Sequence, residues 1–433
     1  MVSIPRENAF DSSLAVLKDG FTFIQKRCQR HGSDIFQTRL MFQNTICISG
    51  EEAVRLFYDP ERFVRKGAIP KPIQKTLLGQ RSIMTLDDGQ HRRRKEMFMS
   101  LMGPTSIQTL MDNMATEWQA AISRWQQRNQ VVFFEEVQEI LFRGVCAWAG
   151  VPLDATEVHR RTRHFAAMVD AFGAVGPRHL RGRWGRQQSE SWMQGIIEQV
   201  RSGQLTAPDG TPLDTLAVYQ EADGQPLPAR MAAIELINLI RPTVAISWYI
   251  TFAALALHEH PDWRKRLQTG NGEELDWFVD EVRRFYPFAP FTGARVRSEF
   301  SWKGYLFPKA TLVLLDIYGT NHDPRLWEQP DEFRPERFQN WQGNRFRLIP
   351  QGGGDYLTGH RCAGEWITIE ATKVALRYLT GAMEYNVPEQ DFHYSLSRMP
   401  TMPKSRFIIR QVQPIATSFP KESVPVRPLV LDT

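Results

Sequence analysis

The sequence predicts a mainly α-helical chain with small β-sheets. Three observations carry this. Apolar residues recur at helical spacing over 107–125, 131–149, 159–172, 188–200, 230–257, 274–285 and 365–379. Strand signals are confined to 35–48 and 300–315, where alternation and turn residues replace the helical period. Nothing repeats, and no flexible linker separates two halves, so residues 1–433 read as a single domain.

Taken in order, the first strand region alternates Phe36, Thr38, Leu40 and Phe42, and Gln43-Asn44 offers the turn. Helical patterns then dominate as far as residue 285. The stretch 230–257 is the most apolar long segment, yet it holds Glu235 and Arg241 near its middle. An ionised arginine at the centre of a membrane span is costly, so this stretch reads as a buried core helix and no membrane span is expected. The second strand region turns at Lys303-Gly304 and at Pro308-Lys309. The proline-rich end, 414–433, reads as an extended tail lying on the body.

Composition narrows the function classes. Hydrophobic residues make up 42% and charged residues 23%, which fits a soluble globular chain and excludes a disordered or collagen-like one. The net charge of +5 is too weak to imply nucleic acid, and no aromatic–basic module accompanies it. Cys28, Cys47, Cys146 and Cys362 are far apart, which argues against a disulfide scaffold or a paired-cysteine zinc site. That usage suits a reducing compartment. Residues 1–6 are polar and no signal-peptide stretch follows, so a cytoplasmic location is expected.

The most informative segment is Gln351-Gly-Gly-Gly-Asp-Tyr-Leu-Thr-Gly-His-Arg-Cys362-Ala-Gly364-Glu. A glycine-rich loop presents one cysteine and a helix starts directly after it. Backbone N–H groups and the positive helix end favour thiolate, which serves as nucleophile or metal ligand. A lone cysteine is otherwise commonly inert core. Here Gly352 to Gly354, Gly359 and Gly364 suggest a backbone that passes close to something flat and bulky, and His360 would meet an anionic part of it. A second set is Glu281-Val-Arg-Arg284, whose ends share a helix face and can pair. By itself this is an ordinary surface pair. Phe333-Arg-Pro-Glu-Arg337-Phe338 follows about fifty residues later.

This ordered set of ExxR, FxPERF and GHRCAG resembles the heme-thiolate cytochrome P-450 superfamily. The resemblance spans nearly the whole chain and implies the cytochrome P-450 fold. It implies heme b with Cys362 as axial thiolate and metal ligand, whose electron donation favours O–O cleavage. It makes Glu281, Arg284 and Arg337 the structural triad behind the heme. It has His91 and His360 meet the heme propionates, with Arg65 and Arg295 as further candidates. The run His91-Arg-Arg-Arg94-Lys95 departs from the family's HxxxR, since Lys95 stands where arginine is usual; Arg94 or Lys95 would supply the charge. Arg92 and Arg93 read as a solvated face.

The helix 230–257 selects the branch. Ordinary members carry an acid followed by threonine there, to deliver protons to bound oxygen. This chain reads Leu239-Ile240-Arg241-Pro242-Thr243-Val244-Ala245, without the acid–alcohol pair. Pro242 bends the helix locally. An arginine in an apolar stretch needs an anion, either an internal acid such as Glu235 or a ligand carboxylate held bidentately. Arg-Pro at this place looks like the fatty-acid peroxygenase branch, which includes hydroxylases and olefin-forming decarboxylases. The resemblance then implies that Arg241 and Pro242 are catalytic: Arg241 binds the substrate carboxylate, which acts as the acid–base the protein lacks. Hydrogen peroxide is the co-substrate and no redox partner is obligatory. Oxidation at the α or β carbon gives a hydroxy acid, and loss of carbon dioxide gives a terminal alkene.

The same resemblance has Leu78, Met84, Val169, Phe172, Ala245, Pro290 and Phe291 line the channel for a long-chain fatty acid beside Arg241. Strongly decarboxylating members carry histidine at the place of Met84. Methionine donates no proton, so hydroxylation is expected as the main outcome and alkene as a minor one. Arg178, Arg181, Arg183 and Arg186 form a basic cluster, read either as a lure for anionic fatty acids or as a solvated loop. Two other functions compete: a reductase-dependent monooxygenase, which turnover requiring NAD(P)H would reveal, and a non-catalytic heme-thiolate fatty-acid binder, which would show a spectral shift without turnover.

Overall fold

The computed structural model describes residues 3–269 and 272–415. The early helices are α1 (Ser13–Asp19), α2 (Phe23–His31), α3 (Glu51–Phe57), α4 (Lys71–Ile73), α5 (Asp88–Ser100), α6 (Pro104–Trp125) and α7 (Phe133–Ala149). Next come α8 (Val158–Asp170), α9 (Pro177–Arg201), α10 (Pro212–Val218), α11 (Ala229–Glu259) and α12 (Pro261–Thr269). The last are α13 (Glu273–Phe285), α14 (Tyr318–Asn321) and α15 (Glu365–Arg377). The strands are β1 (Ile35–Leu40), β2 (Gln43–Ile48), β3 (Phe63–Val64), β4 (Val131–Val132), β5 (Phe291–Val296), β6 (Phe300–Trp302), β7 (Tyr305–Phe307), β8 (Leu312–Asp316), β9 (Met383–Asn386) and β10 (Ile408–Pro414).

α11 is apolar all round and is therefore the core helix, with α7, α8, α9, α13 and α15 packed about it. It is long and apolar enough to cross a membrane by length and composition, but 94% of its most apolar window is buried within the fold. Pro242 sits inside this helix, which continues through it. The strands form a sheet in the order β1-β2-β8-β5-β3, a second in the order β4-β10-β9, and the β6–β7 ribbon. In the first sheet β2 and β8 run parallel and the other pairs antiparallel. The result is the mainly α architecture with small sheets that the sequence predicts.

Several local expectations need correction. The β1–β2 turn is at Met41-Phe42, not Gln43-Asn44: Leu40 pairs with Gln43, so Gln43 and Asn44 lie in β2. Met41 and Phe42 both have positive φ, and their N–H groups donate to Ser13 Oγ at 2.8 Å and Asp11 Oδ2 at 2.7 Å. Those partners lie far back in the chain and hold the bulky turn. Val131 and Val132 pair with β10 before α7 begins. α9 starts at Pro177, eleven residues before the expected 188, so the basic cluster is helical and not a loop. Its Gly182 and Gly185 leave no space for a Cβ against Ala171 and the His164 carbonyl, which lets α9 lie close on α8. Pro414 ends β10, paired with Met383, while 416–433 of the expected tail fall outside the described residues.

Candidate active site

α13 and the loop before α15 meet at a buried carboxylate. Glu281 accepts from Arg284 Nε at 2.7 Å and Nη2 at 2.8 Å, from the Arg334 N–H at 2.7 Å and from Arg337 Nε at 3.1 Å. Arg284 also donates to the carbonyls of Asn321 and Pro330, each at 2.9 Å. Glu281 and Arg284 are fully buried, so this pair is a structural clamp and not a surface ion pair. The structure thus brings Glu281, Arg284 and Arg337 together and ties α13 to the FRPERF segment.

The cysteine loop leans on the same region. The Cys362 N–H donates to Gln351 O at 3.1 Å, and Arg283 donates to Gln351 Oε1 at 3.2 Å and to Glu365. Arg361 donates to Glu365 Oε2 at 2.6 Å, and Tyr356 Oη to Ala363 O at 2.7 Å. Burial pushes the Cys362 thiol up, while Lys95, the Gly364 N–H and Arg241 pull toward thiolate. The three successive glycines serve protein packing: a Cβ at Gly353 would meet the Arg345 carbonyl at 2.7 Å and one at Gly354 would meet Tyr58 at 2.8 Å. Only Gly364, of the loop glycines, faces open space. Among the described residues no group of three or more His, Cys, Asp or Glu side chains could share a metal ion, so Cys362 is a solitary ligand candidate.

A polar patch of two histidines, a lysine and an arginine stands beside this loop. His91 stacks on His360 with ring centroids 3.8 Å apart, and His360 faces Asp87 at 3.8 Å. Burial holds His91 down at about 3 and His360 at about 4, so both rings are neutral at pH 7. Lys95 donates to Arg361 O at 2.6 Å, and burial lowers it to about 8. Arg65 donates to Gly293 O at 3.0 Å and lies over Phe57 at 4.2 Å. Arg295 stands apart from this set. Its guanidinium donates to Gly67 O, Ala310 O and Gln43 Oε1 at 2.7–2.9 Å, so its donors are taken by the sheet. Arg94 also turns elsewhere, to Glu235 at 2.6 Å and to Glu221.

Arg241 is the unusual member. It is 9% exposed, makes no ion pair or hydrogen bond among the described residues, and its Nε is buried without a partner. Burial, then the charge of Arg186, push its pKa down to about 9, so it remains cationic at neutral pH. Ala245 and Trp248 follow on its helix at i+4 and i+7 and therefore share its face. They belong to an apolar cluster with Leu77, Leu78, Phe134 and Val169, against which Phe172, Phe288 and Met402 pack. A cation thus shares a helix face with part of an apolar cluster. The hydroxyls nearest Arg241 on α11 are spent on their own helix: Thr243 donates to Leu239 O at 3.0 Å and Ser247 to Val244 O at 2.8 Å.

Leu78, Val169, Phe172 and Ala245 belong to this cluster, and the other residues expected to line the channel lie outside it. Met84 is 40% exposed and lies outside the cluster, because Ile83, tied through its N–H to Glu235 Oε1 at 2.9 Å, is the residue that turns into the core. Phe291 packs with Phe23, Phe36 and Leu314 under the sheet. Pro290 is buried with its carbonyl accepting from the N–H groups of Ile317 and Tyr318. Sequence reasoning missed Phe288, whose ring stacks on Tyr249 at 4.4 Å, and Leu77, Phe134, Trp248 and Met402. Each comes from a different element, so no spacing marks them as a set. In the basic cluster, Arg178 pairs with Asp170 and Arg186 with Glu190, while Arg181 and Arg183 stay exposed.

The cytochrome P450 family model matches residues 273–407, the part that holds Glu281, Arg284, Arg337 and Cys362. Among solved structures, a variant of cytochrome P450SP alpha (CYP152B1) is 44% identical, with 94% of this chain and 99% of that chain covered and a TM-score of 0.91. This chain belongs to the cytochrome P450 family. Cytochrome P450EX alpha (CYP152N1), solved with myristic acid, is 40% identical over 96% of this chain and 100% of that chain, with a TM-score of 0.93. A variant of cytochrome P450 OleT in complex with arachidonic acid is 34% identical over 96% and 100%, also at 0.93. As a cytochrome P450 the chain is an oxidoreductase that uses heme held by a cysteine thiolate. The residues present suit that group: one thiol with cations and an N–H pulling toward thiolate, open space at Gly364, and the cations Arg65 and Lys95 beside the neutral His91 for two carboxylates.

Proposed function

We propose that this cytochrome P450 is a hydrogen-peroxide-dependent peroxygenase of long-chain fatty acids, with Cys362 as the heme ligand and with hydroxylation near the carboxyl end as its main outcome. One observation carries the reading: the buried Arg241 has no partner among the described residues and shares its helix face with Ala245 and Trp248 of an apolar cluster. Leaving a cation buried and unpaired costs several kcal/mol, and a bound carboxylate offsets that cost. An alkyl chain suits the Leu77–Trp248 cluster, and a carboxylate suits the guanidinium fork.

Heme bound to the Cys362 thiolate supplies the iron centre at which hydrogen peroxide is activated. Arg241 fixes the fatty-acid carboxylate, and through it places the α and β carbons at that end of the cluster. The helix itself offers no free acid–alcohol pair beside Arg241, since Thr243 and Ser247 bond their own backbone. One oxygen of the Arg241-bound carboxylate therefore takes and returns the peroxide proton. The apolar wall excludes water and orients the chain. His91, His360, Arg65 and Lys95 hold the heme carboxylates. Peroxide carries both oxygen and oxidising equivalents, so a reductase is dispensable. A cytoplasmic location fits four free cysteines.

The test is turnover without a reductase. Heme-loaded protein, myristate and hydrogen peroxide are mixed, and products are identified by gas chromatography with mass spectrometry. Hydroxymyristate is expected, with 1-tridecene, the terminal alkene left when the acid loses carbon dioxide, as a lesser product. Product that forms only with NAD(P)H and a reductase would instead make the chain a conventional monooxygenase.

A further inference from the structure

Arg186 is a buried cation that the reaction scheme does not use. It lies on α9, 2% exposed, and its fork reaches across to Leu77 of the same apolar cluster. Nη1 donates to the Leu77 carbonyl at 3.0 Å and Nε donates to Glu190 Oε1 at 2.6 Å. Nη2 is buried and has no hydrogen-bond partner among the described residues.

The Leu77 carbonyl needs such a donor. The segment Gln74–Leu78 is a single wide helical turn that ends at Gly79, whose φ is +82° and whose N–H closes back on Gln74 O at 2.7 Å. Carbonyls in the last turn of a helix have no partner within it. Leu77 and Leu78 both belong to the apolar cluster, so whatever fixes this turn fixes where that wall stands. The fit is close: a Cβ at Gly79 would lie 2.6 Å from Arg186 Nη2 and 2.4 Å from Ile234 Cγ2. Arg186 therefore braces the turn from α9, with Glu190 holding the other side of its fork. Lysine carries its three donors on a single nitrogen and lacks the spread of the guanidinium, whose Nε and Nη1 serve the two contacts here.

We propose that Arg186 is a positioning residue that, through the Leu77 carbonyl, sets the Leu77–Leu78 wall and with it the chain length bound and the carbon presented for oxidation. The second part rests on the peroxygenase reading; the first does not.

The experiment compares the holoenzyme with Arg186→Lys, Glu190→Gln and, as control, Arg201→Lys. Arg201 makes a similar brace on the same helix, to the carbonyls of Ala217 and Leu227, away from the cluster. Dissociation constants for saturated acids of ten to eighteen carbons are measured by calorimetry, together with the α-to-β ratio of peroxide-driven products and the melting temperature. In R186K and E190Q the spread between best- and worst-bound acids should narrow at least threefold, and the α-to-β ratio should move at least threefold. R201K should lose stability alone. Should R186K fail to fold, E190Q decides. A binding profile and product ratio equal to the parent's in the folded variants would overturn the proposal. If the parent itself yields no peroxide-driven product, the peroxygenase reading fails and the binding profile alone decides the role of Arg186.

Discussion

Glu235 and Arg241 stand six residues apart on α11 and do not pair. At about 100° per residue their side chains leave the helix about 120° apart, on different faces. Glu235 is taken by Arg94 at 2.6 Å, by the Ile83 N–H at 2.9 Å and by Asn238 Nδ2 at 3.0 Å. The only acid within the apolar stretch is thus neutralised from outside the helix, and Arg241 is left for a ligand.

Removing Arg241 should therefore separate stability from binding. In Arg241→Met an unpaired buried charge is replaced by an apolar chain of similar length. Calorimetry should show a melting temperature equal to or above the parent's, while fatty-acid affinity falls by about tenfold or more. A melting temperature several degrees lower would mean that Arg241 has a protein partner after all.

Glu235→Ala should behave in the opposite way. It strips the buried Arg94 of its closest anion and leaves the Ile83 N–H unsatisfied. Breaking a buried pair from one side costs about 3–5 kcal/mol. Urea unfolding checks this, and a loss below about 1 kcal/mol would show that Glu221 alone can hold Arg94.

Stability should also depend on Asp316. Burial raises its pKa from 3.8 to about 7, against hydrogen bonds from the Gly319 N–H at 2.8 Å and Ser49 Oγ at 3.4 Å. A raised carboxyl favours the folded state fully below pH 3.8, and that contribution is lost as pH rises through about 7. Asp316→Asn keeps the shape and removes the titration. Its advantage over the parent should be near zero at pH 4 and reach a few kcal/mol at pH 8. Parallel stability curves for the two proteins from pH 4 to pH 8 would refute the raised pKa.

Glu281→Gln tests the clamp. The amide cannot neutralise Arg284 and Arg337 together, and Arg284 is fully buried. Unfolding should come about 3 kcal/mol earlier, with a matching loss of heme per chain. Parental heme content and stability would remove the clamp from the account.

Much of the fold was legible because α6, α7, α11 and α13 bury one apolar face, or every face, and so carry a clear period. α5 was not, since three of its five buried residues are polar: His91 stacks on His360, Arg94 pairs with Glu235 and Lys95 donates to Arg361 O. The start of α9 was hidden because glycines, not large apolar residues, face α8. Motifs in sequence order were enough to expect Glu281, Arg284 and Arg337 together, and they do meet in the structure. Met84, placed beside Leu78 by the resemblance, lies outside the apolar cluster, and the Glu235–Ile83 contact turns its neighbour Ile83 inward. Phe288 and Met402 reach the cluster only through tertiary packing.

The central claim is that the substrate carboxylate, held by Arg241, does the proton work that no side chain beside it can do. The most direct measurement compares myristic acid with its methyl ester and with the alcohol of the same length, each with hydrogen peroxide and no reductase. The account predicts hydroxylated product from the acid and turnover at least about a hundredfold slower from the ester and the alcohol, a gap of roughly 3 kcal/mol in activation free energy. Equal turnover of acid and ester would contradict it.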